Sequence, residues 1–349
     1  MPWTKLAPEI EELSRKGAPA DCDRMIGYAE AVREAFVHAM ELDPNVYVMG
    51  QGVDDAGGTF GATRGLHEQF GADRNFDTPL AEAGMTGVAV GAALGGMRPV
   101  YMHNRPDFFF LILDELVNHA SKWHYMFGGQ NTIPLVVWAC IGRGWGSGAQ
   151  HSQALQGTMM QYPGLKFVMP SNAYDAKGLM LSAIKDNNPV VIMEHRHNFR
   201  FKGAVPENLY TIPIGKGAIR REGKDVSIVT ISNMVNESLV AAETLAKEGI
   251  DVEIVDLRSL RPLDEEIILE TLKKTGKLVV ADSGWKTGGV TAEVAAIAVE
   301  KGYDFLKAPV KRVACPDVPT PSGYTLEEAF YIGPDDVIEA VRELHHGKG

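Results

Sequence analysis

The sequence predicts an α/β protein built from two doubly wound domains. Three observations carry that prediction. Continuous apolar runs rich in β-branched residues recur between amphipathic stretches, the pattern of parallel strands covered by helices on both faces. A polar, irregular segment interrupts the pattern once, at residues 201–214. The length, 349 residues, suits two domains of ordinary size. The expected organisation is an N-terminal extension over residues 1–23, a first domain over 24–200, a linker over 201–214 and a second domain over 215–349.

In the first domain, MIGYAEAVREAFVHAMELDP has helical periodicity, with Ile26, Ala29, Val32, Ala35, Phe36 and Ala39 on one face and Pro44 as its stop. NVYVMGQGV follows as a buried strand running into a Gly turn. PVYMH, PLVVWACIG, LKFVMPS and PVVIME read as further buried strands, each bounded by Pro or Gly. In the second domain, DVSIVTIS, DVEIVDLRSL, KLVVADSG and VKRVAC read as strands. NESLVAAETLAKEG, DEEIILETLKKTG, GGVTAEVAAIAVEKG and DDVIEAVREL read as the helices between and after them.

The bulk numbers exclude several classes. A hydrophobic fraction of 45% with 23% charged residues is that of a globular chain. A formal net charge of −11 argues against nonspecific binding to nucleic acid or to anionic membrane. Cys22, Cys140 and Cys315 are far apart and form no CxxC, so neither a disulfide framework nor a zinc site is expected, and a reduced cytoplasm is. No basic stretch followed by an apolar one opens the chain, so no signal peptide is expected. The longest uncharged apolar run, Met85 to Met97, is too short and too rich in Gly to span a bilayer.

The chain has no GxxxxGK[ST] phosphate loop, no HExxH and no convincing GxSxG elbow. Two residues stand out instead. Glu82, in PLAEAGM, heads a long run of Gly, Ala and apolar residues. An acid there either caps a helix from its N-terminal side or is a catalytic group that its apolar setting desolvates and raises in pKa. His151, in GWGSGAQHSQ, is displayed by a Gly-rich loop before an expected helix, SQALQGTMMQYPG, as a structural or a functional side chain.

GGTFGATRGLHEQFGADRNFDTPLAEAGMTGVAVGAALGGMRPV resembles the β subunit of the thiamine-diphosphate-dependent first component of 2-oxo acid dehydrogenases, of the pyruvate, branched-chain and acetoin type. QHSQALQG, YPGLKFVMPSNAYDAKGLMLSAIKDNNPVV, DLRSLRPLD and KTGKLVVADSGWKTGG continue the resemblance in the same order, from about residue 24 to 345. It implies a transketolase-like pyrimidine-binding domain followed by a transketolase C-terminal domain. It implies that the chain decarboxylates a 2-oxo acid and passes the acyl unit to lipoyl or another acceptor. Family members hold the diphosphate and its Mg2+ with a GDG-type motif, which this sequence lacks. An α subunit carrying that half is therefore implied, in an α2β2 heterotetramer, with a lipoyl acyltransferase as a further partner.

The resemblance also assigns residues. It makes Glu82 the carboxylate that shares a proton with the N1′ nitrogen of the cofactor's aminopyrimidine, Leu80 a backbone contact to that ring, and Phe108 the aromatic packed on it. It makes His151 the active-site histidine serving intermediates and acceptor. In some members a potassium ion is held where Leu135, Ala183, Asp186 and Asn188 stand here. The chain departs from the family at His103, Asn104 and Arg105, at Trp138, and at Arg143 and Trp145. These suggest an altered pocket for substrate or acceptor, with an unusual acyl donor or a small polar or sugar acceptor; ordinary drift of a loop is the alternative. DVPTPSGYTLEEAFYIG departs from the usual ending, which bears on docking to an acyltransferase core. Two other readings stay open: a split transketolase transferring ketol units, and a non-catalytic assembly partner.

Overall fold

A computed structural model describes residues 22–347. The expected N-terminal extension, residues 1–23, lies outside the described residues apart from Cys22 and Asp23. The chain forms two compact units. The N-terminal unit takes the described part of Ala18–Ile141 with Met159–Ile214; the C-terminal unit takes Gly142–Thr158 with the described part of Gly215–Gly349.

In the N-terminal unit, β2 (Val46–Gly50), β3 (Asn75–Asp77), β4 (Arg98–His103), β5 (Val136–Ile141), β6 (Lys166–Val168) and β7 (Val190–His195) lie in the order β6-β7-β5-β4-β2-β3. Every adjacent pair is parallel. All six residues of β5 and all six of β7 are buried, as a sheet covered on both faces requires. Helix α1 (Tyr28–Leu42) buries Ala31, Val32, Ala35, Phe36 and Ala39 on the face its periodicity marks. The helical pattern does not begin at Met25: Met25–Gly27 is a short strand, β1, paired antiparallel with β8 (Lys202–Ala204). The expected linker thus supplies a strand to this unit, and its Ile212 amide donates to the Gly178 carbonyl at 3.3 Å. Helix α2 is Glu82–Leu94, and helix α3, Ala173–Lys185, packs on α1. Lys177 of α3 is fully buried and donates to Glu34 Oε2 at 3.0 Å and to the carbonyls of Pro206 at 2.7 Å and Glu207 at 3.1 Å. A buried ammonium is tolerated only when its hydrogens are met in this way.

The C-terminal unit has five strands in the order β14-β13-β10-β11-β9. They are β9 (Ala218–Arg221), β10 (Val226–Thr230), β11 (Val252–Asp256), β13 (Leu278–Trp285) and β14 (Lys311–Cys315); a further short strand, β12, is Ser259–Arg261. Four of the five pair in parallel and β9 joins the edge antiparallel. Helices α4 (Asn233–Lys247), α5 (Glu265–Thr275), α6 (Val290–Gly302) and α7 (Pro334–His345) fall on the predicted amphipathic segments. The edge strand β9 went unread because its AIRR pattern is half polar; Arg220 turns inward and donates to Asp256 Oδ2 from Nε at 3.1 Å and Nη2 at 2.9 Å.

Trp138 was expected beside an active-site mouth. It is instead fully buried on β5, its ring edge-on to Phe36 at 5.3 Å between centroids and its Nε1 donating to Glu194 Oε2 at 2.6 Å. Burial pushes the Glu194 carboxyl up to about 7, against the hydrogen bonds from Trp138 and Tyr28 that hold it down. The folded carboxyl therefore keeps its proton well above the unfolded range. Its contribution is complete below the ordinary value of 4.5 and is lost as pH rises through about 7. Between those limits the wild type should lose about 3 kcal/mol of stability that Glu194→Gln retains, read from denaturant midpoints against pH. Parallel curves for the two proteins would show that Glu194 carries no such shift.

Candidate active site

Glu82 is the first residue of α2. The cap position is Ala81, which offers no side-chain cap, so Glu82 lies in the first turn and is not the cap itself. Thr86 Oγ1, one turn on, donates to the Glu82 carbonyl at 2.7 Å. The Glu82 carboxylate acts on Tyr101 of β4: burial first, and the Glu82 charge second, push the Tyr101 hydroxyl up to about 12. The expected desolvation is not supplied by this chain. Glu82 is only half-buried, Ala81, Ala83 and Gly84 around it are exposed, and Leu80 is 79% exposed. A carboxylate at the head of an open apolar helix is set to be covered from outside.

His103 closes β4. It is buried, 4.4 Å from the Tyr101 ring and 5.4 Å from Phe109 between centroids, and its Nε2 is 3.5 Å from Thr86 Oγ1. Burial pushes His103 down to about 3, so it is a neutral packing group at neutral pH rather than a polar residue of an open pocket. Pro106–Leu111 forms a 3-10 helix that separates three successive rings. Phe109 enters the core, Phe110 is exposed, and Phe108 is half-buried at the border between them.

His151, Arg143 and Trp145 belong to the C-terminal unit. His151 is exposed, on a turn in which its amide donates to the Gly148 carbonyl at 3.4 Å. The helix expected from Ser152 is reduced to Gln156–Met159. Gln156 is drawn inward, its Nε2 donating to Asp282 Oδ1 at 2.8 Å. Gly157 lies so close to the Gly288–Gly289 backbone that a Cβ would come within 3.0 Å of Gly289 Cα. Arg143 is not a pocket group: it is 4% exposed, donates to the Ser283 carbonyl and to Cys315 Sγ at 3.0 Å, and stacks 4.4 Å over the Tyr331 ring. Trp145 beside it is half-buried. The Gly144 amide donates to the Tyr331 hydroxyl at 3.2 Å and the Gly146 amide to Glu327 Oε1 at 3.2 Å. The unusual loop and the unusual ending are thus built against one another.

Ala183, Asp186 and Asn188 lie where α3 turns into β7, and Leu135 precedes β5 beside them; several of their acceptors are engaged. The Leu135 carbonyl accepts from the Val190 amide at 2.9 Å and the Ala183 carbonyl from the Asp186 amide at 3.2 Å. The Asp186 carboxylate pairs with the Lys166 ammonium and accepts from the Asn188 amide at 2.9 Å. Arg98 Nη1 donates to the carbonyls of Ile184 at 3.0 Å and Asp186 at 3.1 Å. The Lys166 ammonium and the Arg98 guanidinium thus take up part of the donor set, Asp186, where a potassium ion is expected. Among the described residues no group of three His, Cys, Asp or Glu side chains is placed to hold a metal.

Sequence reasoning missed a basic cluster after β7. Arg196, His197 and Arg200 lie in the 3-10 turn Arg196–Arg200, with Arg196 4.9 Å over the Phe60 ring. Burial, with the Arg200 charge, pushes His197 down to about 4. The signal is legible as two Arg and two His in EHRHNFR, at and directly after the end of a buried strand.

The architecture is that of the transketolase class. The transketolase pyrimidine-binding domain family matches residues 24–202, and the transketolase C-terminal domain family matches residues 215–337. The chain is 41% identical over 333 residues to the acetoin:2,6-dichlorophenolindophenol oxidoreductase subunit beta of Bacillus subtilis, covering 92% of this chain and 97% of that one. It is 42% identical over 322 residues to the 2-oxoisovalerate dehydrogenase subunit beta of Bacillus subtilis, covering 92% and 98%. To the pyruvate dehydrogenase E1 component subunit beta of Rickettsia felis it is 42% identical over 315 residues, covering 90% and 97%. A solved split-gene transketolase, an inactive beta4 tetramer, superposes with a TM-score of 0.74 at 25% identity, over 92% of this chain and 98% of that one. The chain belongs to the family of 2-oxo acid dehydrogenase E1 β subunits.

Because guanidinium and ammonium groups already satisfy the α3–β7 turn, replacing KCl by choline chloride at equal ionic strength should leave the melting temperature unchanged. Arg98→Met should destabilise by about 1–3 kcal/mol, the cost of unmet buried acceptors. A potassium-dependent rise in the wild-type melting temperature would show an ion bound there.

Proposed function

We propose that this chain is the β subunit of a thiamine-diphosphate-dependent enzyme that decarboxylates a 2-oxo acid and passes the acyl unit to an acceptor. The observation that carries the reading is Glu82, a half-buried carboxylate at the start of an exposed apolar helix. Glu82, the exposed Leu80 and the half-buried Phe108 suit a flat heteroaromatic ring with a protonable nitrogen. Glu82 holds a proton at N1′ of the aminopyrimidine, the Leu80 backbone meets that ring, and Phe108 packs on it. When bound, thiamine diphosphate supplies the nucleophilic carbon and the electron sink for decarboxylation. His151, on its exposed turn, serves the reacting group and orients the acceptor. The chain carries no GDG motif, so the diphosphate and Mg2+ fall to an α subunit.

The exposed faces support such a partner. Leu80, Val88 and Leu94 of the α2 region are exposed, as are Phe110 and Leu111 after β4 and Tyr125, Met126 and Phe127 further on. Each large apolar side chain covered is worth about 1.5–3 kcal/mol. A covering α subunit would also supply the desolvation that Glu82 lacks in this chain alone. An α2β2 assembly follows the family, and a reducing, cytoplasmic setting suits three cysteines that are free. The acyl acceptor is lipoyl on an acyltransferase or a smaller molecule. The likeness to a split-gene transketolase keeps ketol transfer as the second reading.

The test is turnover by the chain co-expressed with its α-like partner, given thiamine diphosphate, magnesium, a panel of 2-oxo acids and ferricyanide as electron acceptor. One acid should turn over, and only with both chains present. Glu82→Ala should lower that rate by about 10²–10⁴ while circular dichroism and assembly stay unchanged. Retained turnover in the assembled variant would remove Glu82 from its role, and no turnover by a loaded complex would favour ketol transfer.

A further inference from the structure

Three arginines gather at the carboxyl edge of the N-terminal unit's sheet, and the reading above uses none of them. β4 and β7 flank β5, with His103 beside Ala139 and His195 beside Ile141 in register. Arg105 follows β4 by two residues and Arg196 follows β7 directly, so the parallel ladder brings both to one edge. Both guanidinium charges act on the buried Cys140 thiol between them. Burial pushes the Arg196 guanidinium down; the Cys140 thiol opposes this, and the charges of Arg105 and Arg200 add to it. The carboxyl edge of a parallel sheet is where open α/β folds hold their ligands.

Two further observations point to a missing ligand. Arg105 Nη1 is buried and has no hydrogen-bond partner. An unmet N–H on a cation is costly and calls for an acceptor. Arg196 rests over Phe60, which is held at φ 51°, a left-handed conformation that a bulky side chain rarely adopts. Strain of this kind persists where the surroundings fix a side chain for a purpose. Glu194, two residues before Arg196, is engaged by Trp138 inside the core.

We propose that Arg105, Arg196 and Arg200 form a binding site for a dianionic oxyanion of the phosphate class, carried by the enzyme's substrate. Guanidinium forks match tetrahedral oxyanions, and a dianion offsets the mutual repulsion of three cations better than a single carboxylate. The inference rests on the chain acting on a small carbonyl substrate, as proposed above, and it narrows that substrate to a phosphate-bearing one.

The test is calorimetric titration of the full chain with inorganic phosphate at constant ionic strength, with acetate as the singly charged arm and chloride as the salt control. Saturable phosphate binding is expected, with acetate about tenfold weaker or more. Arg105→Met and Arg196→Met should each weaken phosphate by about tenfold, with circular dichroism unchanged and Arg196→Lys restoring part of the loss. In the active complex, phosphate should inhibit competitively with substrate. Absence of saturable binding, equal binding of acetate, or indifference to both substitutions would overturn the site, and noncompetitive inhibition would overturn its link to the substrate. Phosphate binding by a complex that decarboxylates no 2-oxo acid would leave the anion site standing and remove the decarboxylase reading. Decarboxylation without phosphate binding would do the reverse.

Discussion

The position of β5 between β4 and β7 is the constraint on which the N-terminal unit depends. Parallel strands buried on both faces have no solvent to satisfy a polar side chain. Polar groups are therefore either paired within the sheet or pushed to its carboxyl edge. Glu194 takes the first course, accepting from the Trp138 indole across the β5–β7 ladder. His103 takes it too, as a neutral ring packed between Tyr101 and Phe109. Arg105 and Arg196 take the second, emerging together because their strands share a neighbour. The same ladder places Tyr101 where the Glu82 charge reaches it.

Several cations that look available in the sequence are internal partners. Arg143 bridges the Gly-rich loop to Ser283, Cys315 and the Tyr331 ring, so the loop and the ending that depart from the family depart together. Arg98 and Lys166 occupy the turn after α3 in the manner of a bound cation. Lys177 closes the contact between α3 and the segment around Pro206. Arg105, by contrast, keeps a buried nitrogen without a hydrogen-bond partner, and the turn after β7 adds Arg196 and Arg200 to the same edge of the sheet.

Under the proposed function, Glu82 is the part of a shared site that this chain carries. The helix behind it is small and apolar, which lets a partner approach closely, and its exposed Leu80 and Val88 gain by being covered. The carboxylate is half-buried in this chain. Under the proposed function, association with the partner would bury the acid and bring together the groups that hold the cofactor.

The sequence by itself determined the long strands and helices of both units and the family. Strands buried on both faces must be continuously apolar, and helices with one buried face must repeat at their own period, so each is visible locally. It placed Glu82 at a helix start and His151 on an open loop for the same reason, since Gly and Ala patterns mark such positions. Only the tertiary structure decided the short strands β1, β3 and β9, whose few residues carry no period and whose partners are distant. Only it separated Phe108 from Phe109, because which ring enters the core depends on where His103 sits. Arg105 and Arg143 look alike in sequence, each a basic residue after a buried strand. Their fates differ because Arg143 meets Ser283 and Cys315, 140 and 172 residues away, while one nitrogen of Arg105 is buried with no acceptor at all. Contacts at that separation are set by packing, which no local pattern encodes.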